Sequence, residues 1–128
     1  MERTHVKVLI CGGRDFLDTE VFNAVLSKYR NKWAWPLKII CGYDPQKDYP
    51  YGTDKIAYNY SLFWGLERET YPYHYHLGKK GGSSRNQQMI DEGNPDFAIA
   101  FPTKTSRGTW DMVRRLKKAG VETIIVED

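Results

Sequence analysis

The chain is short of cysteine, of long apolar runs and of any dominant sign of charge, and each shortage narrows what it can be. Two cysteines, Cys11 and Cys41, among 128 residues are too few for a disulfide framework. Both close apolar, strand-like runs, where a buried thiol is the ordinary use. No apolar stretch nears the roughly 18 residues needed to span a bilayer. Met1-Glu2-Arg3-Thr4-His5 leads directly into a strand-like segment, unlike the apolar region of a signal peptide. A soluble, cytoplasmic protein with no membrane partner is therefore expected. The formal net charge of +3 would help attract an anionic ligand but is too sparse for a dedicated nucleic-acid binder. Neither a full G-x-G-x-x-G nor a Walker A pattern occurs, which weakens the ordinary dehydrogenase and NTPase readings.

What is present is enough to fold. Hydrophobic residues make up 41% and charged residues 27% of the chain, values of an ordinary globular domain rather than a disordered or coiled-coil one. A chain this long buries roughly two-thirds of its unfolded surface and needs no disulfide or metal staple. Residues 1–128 are expected to form a single domain, with no repeat or linker.

Strand and helix patterns alternate along that length. Val6 to Cys11 is a β-branched, doubly buried strand pattern ending at Gly12-Gly13. Asp18 or Thr19 caps a helix with Val21, Ala24, Val25 and Lys28-Tyr29 on its inner face. Leu37 to Cys41 repeats the strand pattern, and residues 43–52, with two prolines, make a loop. Thr53 or Asp54 caps a second helix whose stripe is Ile56, Ala57, Tyr60, Phe63 and Trp64. Glu69 to Tyr75 is an edge or irregular strand because it contains Pro72. Gly78 to Gly82 is a basic glycine loop before a short helix from Arg85 to Glu92. Asp96 to Phe101 is a central strand, Met112, Val113, Leu116 and Ala119 mark a last helix, and Val121 to Val126 is a last strand. Five strands with intervening helices imply an α/β, three-layer, Rossmann-like sandwich around a mainly parallel sheet. In such a fold the ligand crevice lies beyond the carboxyl ends of the strands, where chain order reverses.

That expectation places chemistry in the strand-to-helix loops, which collect the glycines and polar residues: Gly12-Gly13-Arg14-Asp15, Gly52-Thr53-Asp54, Gly81-Gly82-Ser83-Ser84-Arg85-Asn86 and Ser106-Arg107-Gly108-Thr109. Glycine lets backbone approach a ligand, and free amides at a helix start favour phosphate. The dipole effect is about 0.3–1 kcal/mol per contact, so Arg14, Lys79, Arg85 or Arg107 must add charge-assisted bonds. Asp15 or Asp54 suits ribose hydroxyls. A Gly-Gly after a strand is, by itself, more often only a tight turn.

In combination and order, these loops resemble a known family. Cys-Gly-Gly-Arg-Asp-Phe at 11–16, Tyr-Gly-Thr-Asp-Lys-Ile-Ala at 51–57, Gly-Lys-Lys-Gly-Gly-Ser-Ser-Arg-Asn-Gln-Gln-Met at 78–89, and Ala-Phe-Pro at 100–102 with Arg-Gly-Thr-Trp-Asp-Met-Val at 107–113 look like the YspA type of YpsA-related SLOG domain. The resemblance covers nearly the whole chain. SLOG domains are Rossmann-like and grouped with DNA-processing protein A and the Lonely Guy phosphoribohydrolases. The likeness therefore implies binding, sensing or processing of a nucleotide-derived small molecule such as a nucleoside phosphate or an ADP-ribose-like compound. Carried over by position, it makes Gly12, Gly13, Arg14, Asp15, Gly52, Thr53, Asp54, Lys79, Gly82, Arg85, Asn86, Gly108 and Thr109 candidate ligand contacts, with Arg107 added for its charge. It implies no cofactor, and relatives of this type often dimerise, so a homodimer or larger homo-oligomer is expected.

Two departures bear on chemistry. The family's short Gly-Ala-x-Gly-Ala-Asp turn is spread here over Gly42 to Asp54 with a Tyr/Pro-rich insertion at 43–51. Where Lonely Guy enzymes have Pro-Gly-Gly-x-Gly-Thr-x-x-Glu, this chain places Met112 at the glutamate position. N-glycosidic cleavage needs a carboxylate to stabilise cationic charge or activate water. Met112 can do neither, and Asp111 lies about 100° around the helix. Binding is therefore favoured over hydrolysis, with Asp15 or Asp54 as substitutes for the missing group.

Other features have plainer readings. His74-x-His76 lacks the companions of a zinc pattern, so no metal is expected. The tyrosines at 43, 49, 51, 58, 60, 71, 73 and 75 suit core or interface packing, with base stacking as the lesser use. Arg107, Arg114, Arg115, Lys117 and Lys118 give the last helix a basic face, which keeps single-stranded DNA as a second class of partner.

Overall fold

The computed structural model describes residues 4–47 and 51–127. Tyr49, with the rest of 48–50 in the insertion, lies outside the described residues. Five strands, β1 (Val6–Gly12), β2 (Leu37–Cys41), β3 (Glu67–Thr70), β4 (Phe97–Phe101) and β5 (Glu122–Ile125), alternate with four helices, α1 (Thr19–Arg30), α2 (Thr53–Phe63), α3 (Gly81–Gly93) and α4 (Arg107–Lys118). The sheet has the order β3-β2-β1-β4-β5, and every pairing is parallel. The fold is thus an α/β Rossmann-like sandwich, its sheet wholly rather than mainly parallel.

The two-residue period of β1 and β4 divides their side chains between two helical layers. Val8, Ile10, Phe97, Ile99 and Phe101 face Phe22 and Leu26 of α1 and Ala57 and Tyr60 of α2. Leu9, Cys11, Ala98 and Ala100 face Met89 and Ile90 of α3 and Met112, Val113 and Leu116 of α4. Burying each large aliphatic or aromatic side chain contributes about 1.5–3 kcal/mol relative to leaving it in water. No helix among the described residues is long and apolar enough to cross a membrane.

Four local expectations need correction. The inner face of α1 is centred on Phe22 and Leu26, while Ala24 is exposed. Phe22 contacts the rings of Phe101 and Tyr60 at 5.0 and 5.7 Å, so aromatic packing decides the helix rotation. On α2, Phe63 and Trp64 are exposed, and the buried stripe is Thr53, Ala57, Tyr60 and Ser61. The third strand runs earlier than expected and stops before Pro72, whose missing N–H cannot extend a ladder. Its aromatic continuation leads into a 3₁₀ segment, Tyr75–Lys80. The glycines at 81 and 82 are not loop but the start of α3, which is therefore longer than 85–92.

Candidate functional site

The order of strands reverses between β1 and β4, and the turns leaving those two strands are drawn together there. Gly13 N–H donates to Phe101 O at 3.1 Å. Gly13 O accepts both the N–H and the hydroxyl of Thr53, at 3.2 and 3.0 Å, which brings the start of α2 over the same point. A side chain on Gly12 would collide with Thr53 and Phe101 O, and one on Gly13 with Thr103 and Ser106. Neither glycine has a positive φ. The pair is required by close approach of three segments, not by a tight left-handed turn. Gly52 does have φ 104°, and its Cα faces the backbone of Arg14.

A groove with two lobes, of about 350 and 320 Å³, opens above this junction. Gly12, Gly13, Arg14, Gly42, Asp54, Tyr73 and Arg85 line both lobes. The first lobe is completed by residues at the starts of α3 and α4, including Gly82, Asn86, Ser106, Arg107, Gly108 and Thr109. The second is completed at the start of α2 by Gly52, Thr53 and Lys55, and by Tyr51 and Tyr75. Helices α2, α3 and α4 all start at this groove with no side-chain hydrogen bond from their N-cap residues, Gly52, Lys80 and Ser106. In α1, by contrast, Asp18 accepts the Val21 N–H. The Ser106 hydroxyl is used instead to accept the Thr103 N–H at 2.6 Å. The first amide of each helix is taken by main chain, Thr53 N–H by Gly13 O, Gly81 N–H by Gly78 O and Arg107 N–H by Thr105 O, while the positive ends of three helix dipoles face one space.

Arg85 spans the groove wall. Its Nη1 donates to Gly42 O at 2.9 Å and Tyr71 O at 3.3 Å, which fixes the guanidinium beside the end of β2. Asp54, half-buried, is the one carboxylate lining either lobe among the described residues. Burial raises its pKa above the ordinary carboxylate value, while Arg85, the Gly42 N–H and Arg14 pull it down. Asp54 thus sits half-buried beside two cations, suited to hydrogen bonding with a polar ligand.

Most of the candidate residues converge here, and two do not. Asp15 is exposed and outside both linings; it accepts the Thr103 and Thr105 hydroxyls at 2.5 and 3.3 Å. The Thr103 bond holds its pKa below the usual value. Lys79 is exposed in the 3₁₀ segment and also outside both linings. Asn86 lines the first lobe but also braces α3 to α4, donating to Gly108 O at 3.2 Å and Asp111 at 3.1 Å. Asp111 is drawn away from the groove by Arg115 at 2.9 Å, and Met112 occupies the lining instead.

Sequence reasoning missed Gly42, Lys55 and Thr105 as lining residues and read Tyr73 only among the tyrosines suited to packing or stacking. Tyr73 has a signal in hindsight. Its ring packs where side chains on Gly81 and Gly82 would lie, and its hydroxyl donates to Gly78 O at 2.7 Å. The glycine pair that suggests a phosphate loop is in part a seat for an aromatic ring. His74 is held on α3 by Ser84 and Gln88 at 2.9 and 2.7 Å. Among the described residues, no three His, Cys, Asp or Glu side chains converge as a metal would need. The basic face of α4 is partly neutralised, since Arg114 and Arg115 both pair with Asp111.

No family model matches this chain. It is similar to the Gene 61 protein of Mycobacterium phage D29, with 30% identity over 128 residues, covering 92% of this chain and 94% of that protein.

Proposed function

We propose that this chain, which belongs to the same family as the Gene 61 protein of Mycobacterium phage D29, binds a nucleotide-derived anion in the groove above β1 and β4. The observation that carries this reading is the convergence of three helix starts without side-chain caps on a groove that Arg14 and Arg85 line in both lobes. Amides and dipoles at helix starts favour phosphate, and arginine adds charge-assisted hydrogen bonds of matching geometry. The ordered loop motifs that resemble SLOG domains support the same class of ligand. Free, buried Cys11 and Cys41 fit a reducing, cytoplasmic setting. Leu62, Phe63 and Trp64, exposed at the end of α2, are the surface that a homodimer would cover.

Thermal shift against AMP, GMP, cyclic nucleotides and ADP-ribose tests the proposal. A ligand held at 100 times its Kd stabilises by about 2.7 kcal/mol, roughly 10 °C in a domain of this size. At the same ligand concentration, Arg85→Ala should cut the shift to about half or less. No stabilisation by any member of the panel would remove this reading.

A second reading has its own support in Asp54. Among the described residues its carboxyl is the one acid on the groove walls, so it would supply the carboxylate chemistry that Met112 cannot in a nucleoside monophosphate phosphoribohydrolase. Release of free base from AMP, lost in Asp54→Asn, would establish it; unchanged AMP after prolonged incubation at high protein concentration would dismiss it. No comparable observation favours single-stranded DNA.

A further inference from the structure

The two lobes of the groove differ in chemistry, and the difference specifies more of the ligand than its charge. Arg107 and the starts of α3 and α4 belong to the first lobe, whereas Tyr51 and Tyr75 belong to the second. Both tyrosines are more than half exposed, at 59% and 53%, although tyrosine usually covers its ring when the ring serves only to pack. Tyr75 packs against Tyr73 at a ring separation of 5.0 Å, and Lys47 lies 5.1 Å from the Tyr75 ring centre. Tyr73 is itself wedged against the glycines that open α3. The Tyr73–Tyr75 part of this wall is therefore anchored, and Asp54 lines both lobes.

We infer that the second lobe is a nucleobase subsite, in which Tyr51 and the Tyr73–Tyr75 pair stack a base while the phosphate of the same molecule lies in the first lobe and its ribose lies near Asp54. The ligand class is then a nucleoside phosphate bound across both lobes, not a sugar phosphate or a simple anion. This rests on the anion-binding reading above and adds the base to it. Stacking on aromatic side chains tolerates any base because each has a π-face, so discrimination here is between ligands with and without a base.

Isothermal titration with AMP, ribose 5-phosphate and inorganic phosphate separates the cases. The expected result is AMP binding about tenfold or more tighter than ribose 5-phosphate, from a single stacked base. Tyr51→Ala and Tyr75→Ala should each narrow that ratio to within roughly threefold, and Tyr51→Phe, which keeps the ring, should preserve it. Equal affinity of AMP and ribose 5-phosphate in the wild-type protein would overturn the base subsite and leave the anion site standing. A ratio unmoved by either alanine variant would overturn it as well. Failure of all three compounds to bind would overturn both readings together.

Discussion

Replacing Arg85 by alanine should weaken the fold and the groove by different, separable amounts. In the folded chain its guanidinium bonds the carbonyls of Gly42 and Tyr71 at 2.9 and 3.3 Å and Asn86 Oδ1 at 3.3 Å. A hydrogen bond to a charged group is worth about 1.5–3 kcal/mol where both partners are desolvated. Here the groove is open and water can replace the lost donor, so a net loss of about 1 kcal/mol is expected, or roughly 4 °C in Tm. Affinity should suffer more. One guanidinium contact to a bound phosphate, worth about 1.5–3 kcal/mol, corresponds to a Kd raised about 10- to 150-fold. Arg85→Lys keeps the charge but not the planar fork, so it should regain part of the affinity and little of the Tm. Gly42→Ala provides the converse case. Its methyl group would land on the Arg85 guanidinium, the far end of a flexible side chain, so the arginine is displaced at little cost to folding. Melting lowered by no more than about 4 °C, as in Arg85→Ala, together with weakened binding is the expected outcome. Melting curves and calorimetric titration with AMP measure both quantities. Wild-type affinity in Arg85→Ala would refute the role given to this arginine.

Asp54→Asn should make the protein more stable at neutral pH. Because burial raises the Asp54 pKa above 3.8 in the folded chain, the native state holds this proton to higher pH than the unfolded state. Stability is fully present below the unfolded value and declines as pH rises through the folded value. The gain in Tm should therefore appear above about pH 4 and vanish below it, and melts that run parallel across this range would contradict the assignment. Phe22→Ala, which empties a fully buried site against Phe101 and Tyr60, should cost about 3–5 kcal/mol in chemical denaturation; a loss under 1 kcal/mol would mean the core is packed otherwise. Cys11 and Cys41 should resist a thiol reagent until the chain unfolds, since burial raises both pKa values, that of Cys41 to about 12. Rapid labelling of native protein would show these strand ends to be open.

The parallel sheet was legible because its signal is compositional and local. Val6 to Cys11, Leu37 to Cys41 and Phe97 to Phe101 are apolar runs closed by glycine or proline, as doubly covered strands must be. β3 was harder, since Glu67-Arg68-Glu69-Thr70 at a sheet edge has no apolar period, and the aromatics that attract attention lie just beyond it. The loops of the site were legible as glycine-bearing strand ends, but the use of each glycine was not. Gly12 and Gly13 answer to Thr53, Thr103 and Ser106, and Gly81 and Gly82 to Tyr73, all partners brought near only by tertiary folding. For the same reason Asp15 and Asp54 look equivalent in the sequence. One ties two surface turns together and the other enters the groove.

The carboxylate of Asp15 reaches 88 and 90 positions along the chain to Thr103 and Thr105, and Gly13 N–H clasps Phe101 O beneath it. The floor of the cleft is thus assembled as the domain folds, leaving little backbone ordering for an arriving molecule to impose. A preorganised receptor of this kind should capture its ligand without a slow closing step, and its selectivity should be expressed mainly in how long the complex survives.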